Sequence, residues 1–297
     1  MPQITANGIP LEYDIHGPET GEPLLLIMGL GVQMTRWPQE MVDDLAKRGY
    51  RVIRHDNRDV GLSHKFDAAG PSDVGAIVAA LRTGEKPPAP YLLSDMAADS
   101  VGLLDALGIK KAHIVGASMG GMIAQTIAAH YPDRVLSLTS IMSTTGNPNL
   151  PPARPDAMAR LVIPSPDPRQ DLEAYLLHAL STAHIMAGEG NPVDEAQQRI
   201  DSTADANRAF YPVGVSRQMA AVVAMGDRRK AIATITAPTV VIHGADDPLV
   251  PVEAGHDTQA TIPGAEMHIV AGMGHNLPQR LIPQINDLIE RATRRAL

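Results

Sequence analysis

The sequence predicts an α/β chain, with a mostly parallel eight-stranded sheet flanked by helices and a helical cap inserted into it. Three observations predict this. Short apolar runs such as Leu24–Ile27 and Ala112–Val115 alternate with stretches of helical periodicity. The strand rhythm changes after Ser143 and returns at Thr239. A serine flanked by glycines, Gly116-Ala117-Ser118-Met119-Gly120, stands where a strand gives way to a helix, which is the pattern of a sharp turn that exposes a hydroxyl.

Taken in order, residues 3–16 predict a hairpin turned at Asn7-Gly8. Leu24–Ile27 is apolar throughout, as a strand covered on both faces must be. A helix over 38–48 begins at Pro38, buries Val42 and Leu45 on one face and stops at Gly49. Arg51–His55 is the next strand. Residues 64–93 read as irregular, with a proline cluster at 87–90. Ser94 is expected to cap a helix whose Ala97, Val101 and Leu104 recur at i, i+4 and i+7. Strand Ala112–Val115, helix Met119–His130 and strand Val135–Ile141 follow.

Residues 147–168 are proline-rich, and helical segments near 170–187, 193–210 and 214–230 come after them without a strand. The expected division is therefore a core domain of 1–145 and 233–297, with a helical cap of 146–232. Strands Thr239–His243 and Glu266–Val270 and a helix over 279–295 complete the core.

Composition narrows the function. The net charge of −8 lacks the basic footprint that a nucleic-acid partner requires. The absence of cysteine removes disulfides, thiolate metal sites and a cysteine nucleophile. No signal peptide is read at Met1-Pro2-Gln3-Ile4 and no apolar run reaches spanning length, so the expectation is a cytoplasmic chain without a membrane partner. Few aromatics and 14 methionines suit an aliphatic, adaptable pocket. No Walker-A, HExxH or dinucleotide-loop pattern occurs, and no cofactor or metal is expected.

A serine hydroxyl becomes a useful nucleophile only when a base takes its proton and an acid orients that base. In a parallel sheet such groups collect on loops at the carboxyl ends of strands. Thr239–His243 leads to Asp246-Asp247-Pro248, and Glu266–Val270 leads to Gly272-Met273-Gly274-His275. The acid is Asp247 or Asp246; Asp247 is favoured because Pro248 holds it on an extended turn. Of eleven histidines, His16, His55, His113, His243, His256 and His268 fall in elements and suit structural roles, whereas His275 follows a strand in a glycine-rich loop. The oxyanion donors are expected at Met119, directly after the serine, and at Leu30 in the loop after Leu24–Ile27, with Gly31 as the next choice.

Weaker signals surround these. Asp56, Arg58 and Asp59 suit a polar network bracing the oxyanion loop better than acid–base or metal-binding work. Met28, Gly29, Trp37 and Met142 are candidate substrate-binding residues, and Met158 is a further pocket candidate. Trp37 fits plain packing against the sheet at least as well.

With these residues assembled, the chain resembles the α/β-hydrolase superfamily over nearly its whole length. The landmarks are Met28-Gly29, Asp56-x-Arg58-x-x-Gly61-x-Ser63, Gly116-x-Ser118-Met119-Gly120-Gly121, Asp247-Pro248-x-x-Pro251 and Gly272-Met273-Gly274-His275. Within it the chain looks most like serine carboxylesterases of the cofactor-free haloperoxidase-like kind and polyketide methylesterases of the aclacinomycin methylesterase kind. The resemblance implies a Ser118–His275–Asp247 triad, Leu30 and Met119 as oxyanion donors, a helical cap and a small-molecule ester substrate. Met28 replaces the histidine that often opens the oxyanion motif, and Asp59 stands where many members carry glycine. A serine at the elbow argues against the dehalogenase and epoxide hydrolase branches, which use aspartate there. Perhydrolysis, lactone opening, C–C hydrolysis and acyl transfer share the same triad, and a non-catalytic ligand-binding member is the alternative of another class. The sequence leaves the oligomeric state open, a homodimer included.

Overall fold

In the computed structural model, which describes residues 2–296, eight strands form one sheet. They are β1 (Gln3–Ala6), β2 (Ile9–His16), β3 (Glu22–Ile27), β4 (Tyr50–His55), β5 (Ala112–Ala117), β6 (Val135–Ile141), β7 (Thr239–Gly244) and β8 (Glu266–Val270). Their spatial order is β1-β2-β4-β3-β5-β6-β7-β8. Only the β1–β2 and β2–β4 pairs are antiparallel; the other five are parallel. Asn7 and Gly8 both have positive φ, as the two-residue turn of the opening hairpin demands.

The apolar runs are strands because helices cover both faces of the sheet. Side chains alternate between faces along each strand. Leu25 and Ile27 of β3 enter one cluster with residues of α3 (Leu93–Ala106) and α4 (Met119–His130). Leu24 and Leu26 enter a second cluster with α1 (Gln39–Lys47) and α11 (Ile282–Arg294). The parallel registers pair Ile27 with Gly116, Ala117 with Ile141, and Gly244 with Val270. The carboxyl ends of β3, β5, β7 and β8 therefore open on the same edge of the sheet.

Two local expectations are corrected. Residues 64–93 contain a helix, α2 (Val74–Thr83), started by the Asp73 side chain on the Ala76 N–H and stopped at Gly84. It packs on α8 (Val213–Met225), a distant segment that local periodicity does not reveal. Ser94 does not cap α3; the helix starts after Leu92, whose N–H is taken by the Asp95 carboxylate at 2.7 Å. The proline-rich stretch holds a short helix, α5 (Pro155–Val162), with Pro155 in its first turn, where a missing N–H costs nothing.

Between β6 and β7 the chain forms α5, α6 (Leu172–Met186), α7 (Glu195–Arg208), α8 and α9 (Arg229–Ile232), and no strand. Helix α10 (Val252–Thr261) lies between β7 and β8. Ile232, at the end of α9, is buried in the cluster that contains α3 and α4. Among the described residues, no helix is long and apolar enough to cross a membrane.

Candidate active site

The turn between β5 and α4 is built by sterics. A side chain on Gly116 would meet the Gly120 carbonyl oxygen at 2.1 Å, and one on Gly120 would meet that of Ile27 at 2.0 Å. Only glycine lets α4 start this close to β3 and β5. Ser118 pays with φ of +56° and ψ of −121°, a conformation L residues rarely adopt. Its N–H is bonded to the Ile141 carbonyl at 2.9 Å, and the Ser143 hydroxyl donates to its carbonyl oxygen at 2.9 Å.

Residues far apart in sequence meet at this hydroxyl. His275 Nε2 lies 2.9 Å from Ser118 Oγ, and His275 Nδ1 lies 2.8 Å from Asp247 Oδ2. A carboxylate only accepts, so the ring proton sits on Nδ1 and the Nε2 lone pair faces the serine hydroxyl. The second oxygen of Asp247 accepts the N–H groups of Leu249 and Val250 at 2.9 and 2.8 Å. Asp247 is buried, whereas Asp246 is exposed and bonds the Met273 carbonyl through its own N–H.

The other buried histidines face elsewhere. His243 donates Nε2–H to the Val250 carbonyl at 2.8 Å and so braces the Asp247 loop. Burial holds its pKa below the ordinary value, against the opposing pull of Val250 and Asp247. His55 and His113 contact the hydroxyls of Ser100 and Ser137.

The loop after β3 runs alongside the serine. A side chain on Gly29 would come within 3.6 Å of Ser118 Oγ. The Leu30 N–H donates to no acceptor among the described residues. The N–H of Met119 opens α4, where the first helical donors lack intrahelical partners. The loop is fastened on each side: Asn57 donates to the Met28 carbonyl at 2.9 Å, and Asp56 accepts the Met34 N–H at 2.8 Å.

The Asp56–Asp59 segment is a buried ionic network around this loop. Asp56 pairs with Arg208 of α7 at 2.7 Å. Arg58 pairs with Asp99 through two bonds of 2.6 and 2.7 Å and lies over the adjoining rings of Phe66 and Tyr91. Asp59 pairs with Arg217 of α8 through two bonds of 2.8 and 2.7 Å. Burial raises the Asp59 carboxyl, but hydrogen bonds from Arg217, the Phe66 N–H and Tyr91 outweigh it and hold the group below the usual range. The departure from glycine at Asp59 is thus matched by a cation 158 residues away.

The inserted helices also reach the histidine. The His275 N–H donates to the Met186 carbonyl at the end of α6 at 2.7 Å. Asn191 donates to the Gly272 carbonyl at 2.6 Å. Met186, Asn191 and Arg217 of the insert were not legible in the sequence, because no local motif marks them. Of the pocket candidates, Met28 and Met142 are buried in the second core cluster, and Met142 turns away from β6 with φ of +42°. Trp37 has no exposed surface and packs with Met41 and Leu45, so the structure gives it the packing role. Met158 lies on α5 and is 46% exposed.

The model of the alpha/beta hydrolase fold family matches residues 22–278. The chain is 28% identical over 292 residues to rhodomycin D methylesterase DauP from a Streptomyces species, covering 93% of this chain and 92% of that protein. It is 30% identical over 272 residues to a 2-hydroxy-6-oxononadienedioate/2-hydroxy-6-oxononatrienedioate hydrolase from Burkholderia vietnamiensis, covering 89% and 85%. A meta-cleavage product hydrolase from Pseudomonas fluorescens shares the fold, with a TM-score of 0.78 at 22% identity over 100% of this chain and 98% of that one.

Proposed function

The chain belongs to the α/β-hydrolase fold family as a hydrolase, and we propose that it cleaves a carboxylic ester of a small to medium apolar molecule through an acyl-enzyme on Ser118. The observation that carries this is the single file of Ser118 Oγ, His275 and Asp247, spaced 2.9 and 2.8 Å apart. Similarity to a methylesterase over 93% of the chain supports the ester as substrate.

In this reaction His275 Nε2 takes the hydroxyl proton as Ser118 Oγ attacks the ester carbonyl carbon. Negative charge moves to the carbonyl oxygen, where the Leu30 and Met119 N–H groups receive it; one such donor is worth about 3 kcal/mol of barrier. Asp247 stabilises the imidazolium through Nδ1–H without taking its proton. The C–O bond then breaks, and the alkoxide leaves with the proton from His275 Nε2. Water, deprotonated by the same nitrogen, attacks the acyl group, and collapse returns Ser118 and the free acid. Met28, Gly29 and Met142 are proposed to border the substrate, residues 146–232 to cap it, and residues 1–145 and 233–297 to form the core. No metal or cofactor takes part in this scheme.

A second reading keeps the same three groups but breaks a C–C bond in a 2-hydroxy-6-oxo dienoate, and the Burkholderia relative favours it. Both are tested together. Purified protein is assayed with short-chain nitrophenyl and methyl esters and with the dienoate, and Ser118→Ala is assayed beside it. Ester turnover that Ser118→Ala abolishes is the expected result. Equal ester turnover in the variant, or turnover of the dienoate alone, overturns the ester proposal.

A further inference from the structure

Helix α8 of the insert is fastened to the β3 loop by one fully buried amide. Gln218 accepts the Gly31 N–H on Oε1 at 2.7 Å and donates from Nε2 to the Arg58 carbonyl at 2.7 Å. It has no exposed surface. Its neighbour Arg217, equally buried, holds Asp59 and donates to the Gly70 carbonyl at 2.7 Å and the Tyr211 hydroxyl at 2.6 Å. Two adjacent side chains thus lock α8 against both rotation and sliding.

The bond from Gly31 has a consequence for its neighbour. Gly31 directly follows Leu30, whose own N–H has no acceptor among the described residues. The loop is held before Leu30 by Asn57 on the Met28 carbonyl and after it by Gln218 on the Gly31 N–H. Val215, one turn earlier on α8, closes the third side: a Cβ on Gly31 would lie 2.8 Å from its Cγ2. With these three contacts the Leu30 peptide plane has little freedom to rotate. A Gly31 N–H released from Gln218 would leave a half-buried donor unpaired, and the loop would turn to satisfy it.

We propose that Gln218 is a positioning residue of the oxyanion site, aiming the Leu30 N–H without touching substrate. The proposal rests on the assignment of Leu30 as an oxyanion donor. It makes helix α8 part of the rate-determining framework, so the insert sets transition-state stabilisation as well as whatever specificity it confers. Displacing a positioned donor by about 1 Å costs about a hundredfold in rate.

The test compares wild type with Gln218→Met, which keeps the volume but neither bond, and with Gln218→Glu, which restores an acceptor for the Gly31 N–H. The readouts are kcat and KM for a nitrophenyl ester and the affinity of an alkylboronic acid, whose tetrahedral serine adduct places an oxyanion in the site. Gln218→Met is expected to lower kcat and boronate affinity together by about a hundredfold, with KM within about threefold. Gln218→Glu is expected to recover at least about tenfold of both. Boronate affinity of Gln218→Met, per folded molecule, equal to wild type overturns the proposal, as does a glutamate variant no better than methionine. If Gln218→Met does not fold, Gln218→Ser, whose side chain is too short to reach the Gly31 N–H, takes its place: boronate affinity per folded molecule equal to wild type overturns the proposal. A wild-type enzyme that neither turns over esters nor binds boronate overturns the functional assignment, and this proposal with it.

Discussion

Asp247 Oδ2 stands 2.8 Å from His275 Nδ1 while the other oxygen of the same carboxylate is pinned by the Leu249 and Val250 N–H groups. The imidazole is thereby held in one tautomer and one orientation. Asp247→Asn places an amide where the acceptor was, favours the wrong tautomer and is expected to lower kcat about ten-thousandfold. Exposed Asp246, changed to Asn, is expected to stay within about twofold. Steady-state kinetics on both variants check this.

Gly120 carries a steric prediction. An added Cβ would lie 2.0 Å from the Ile27 carbonyl oxygen, which is backbone at the end of a central strand and has nowhere to go. Gly120→Ala is expected to cost at least about 3 kcal/mol of stability, measured by urea unfolding, and to displace Ser118.

The Asp59–Arg217 pair predicts a double-mutant cycle. Arg217→Met leaves a buried carboxylate without its cation and is expected to cost about 3–5 kcal/mol. Asp59→Asn with Arg217→Met removes both charges, keeps an oxygen acceptor for the Phe66 N–H and turns an amide N–H toward the Tyr91 hydroxyl oxygen. It is expected to recover about half of the loss, a non-additivity that unfolding curves of the four proteins would show.

His55 predicts an acid-sensitive stability. Burial pushes its pKa from 6.5 down to about 4, with Asp56 opposing weakly. In the unfolded chain the ring binds a proton below about pH 6.5, whereas in the fold it stays neutral until about pH 4. Its contribution is thus full above pH 6.5 and is lost as the pH falls through that window. From pH 7.5 to 5 the loss is about 2 kcal/mol. Urea midpoints at the two pH values should differ less in His55→Gln than in wild type; an equal difference would refute the assignment.

What could be read along the chain and what could not divide by the range of the interactions involved. The strands were legible because burial on both faces demands continuous apolar runs, and Gly116 and Gly120 because a tight turn forbids side chains. Asp247 and His275 were legible because a parallel sheet delivers its loops to one edge, so position after a strand is enough to nominate them. Helix α2 was not, since its Asp73 and Gly84 ends are weak signals and its partner α8 lies far along the chain. Ser94 misled because serine suits a cap, while the register of α3 let Asp95 reach back to Leu92 instead.

By itself, the sequence determined the class of fold, the serine turn and the strand ends at which Asp247 and His275 follow it. These depend on local patterning and on one rule of sheet geometry. Only the tertiary structure decided that Trp37 is core, that Asp59 answers Arg217, and that Gln218, Met186 and Asn191 of the insert hold the two loops beside Ser118. Those contacts are pairwise bonds between buried polar groups 81 to 187 residues apart. No periodicity records them, because each depends on how a helix lands on the finished sheet.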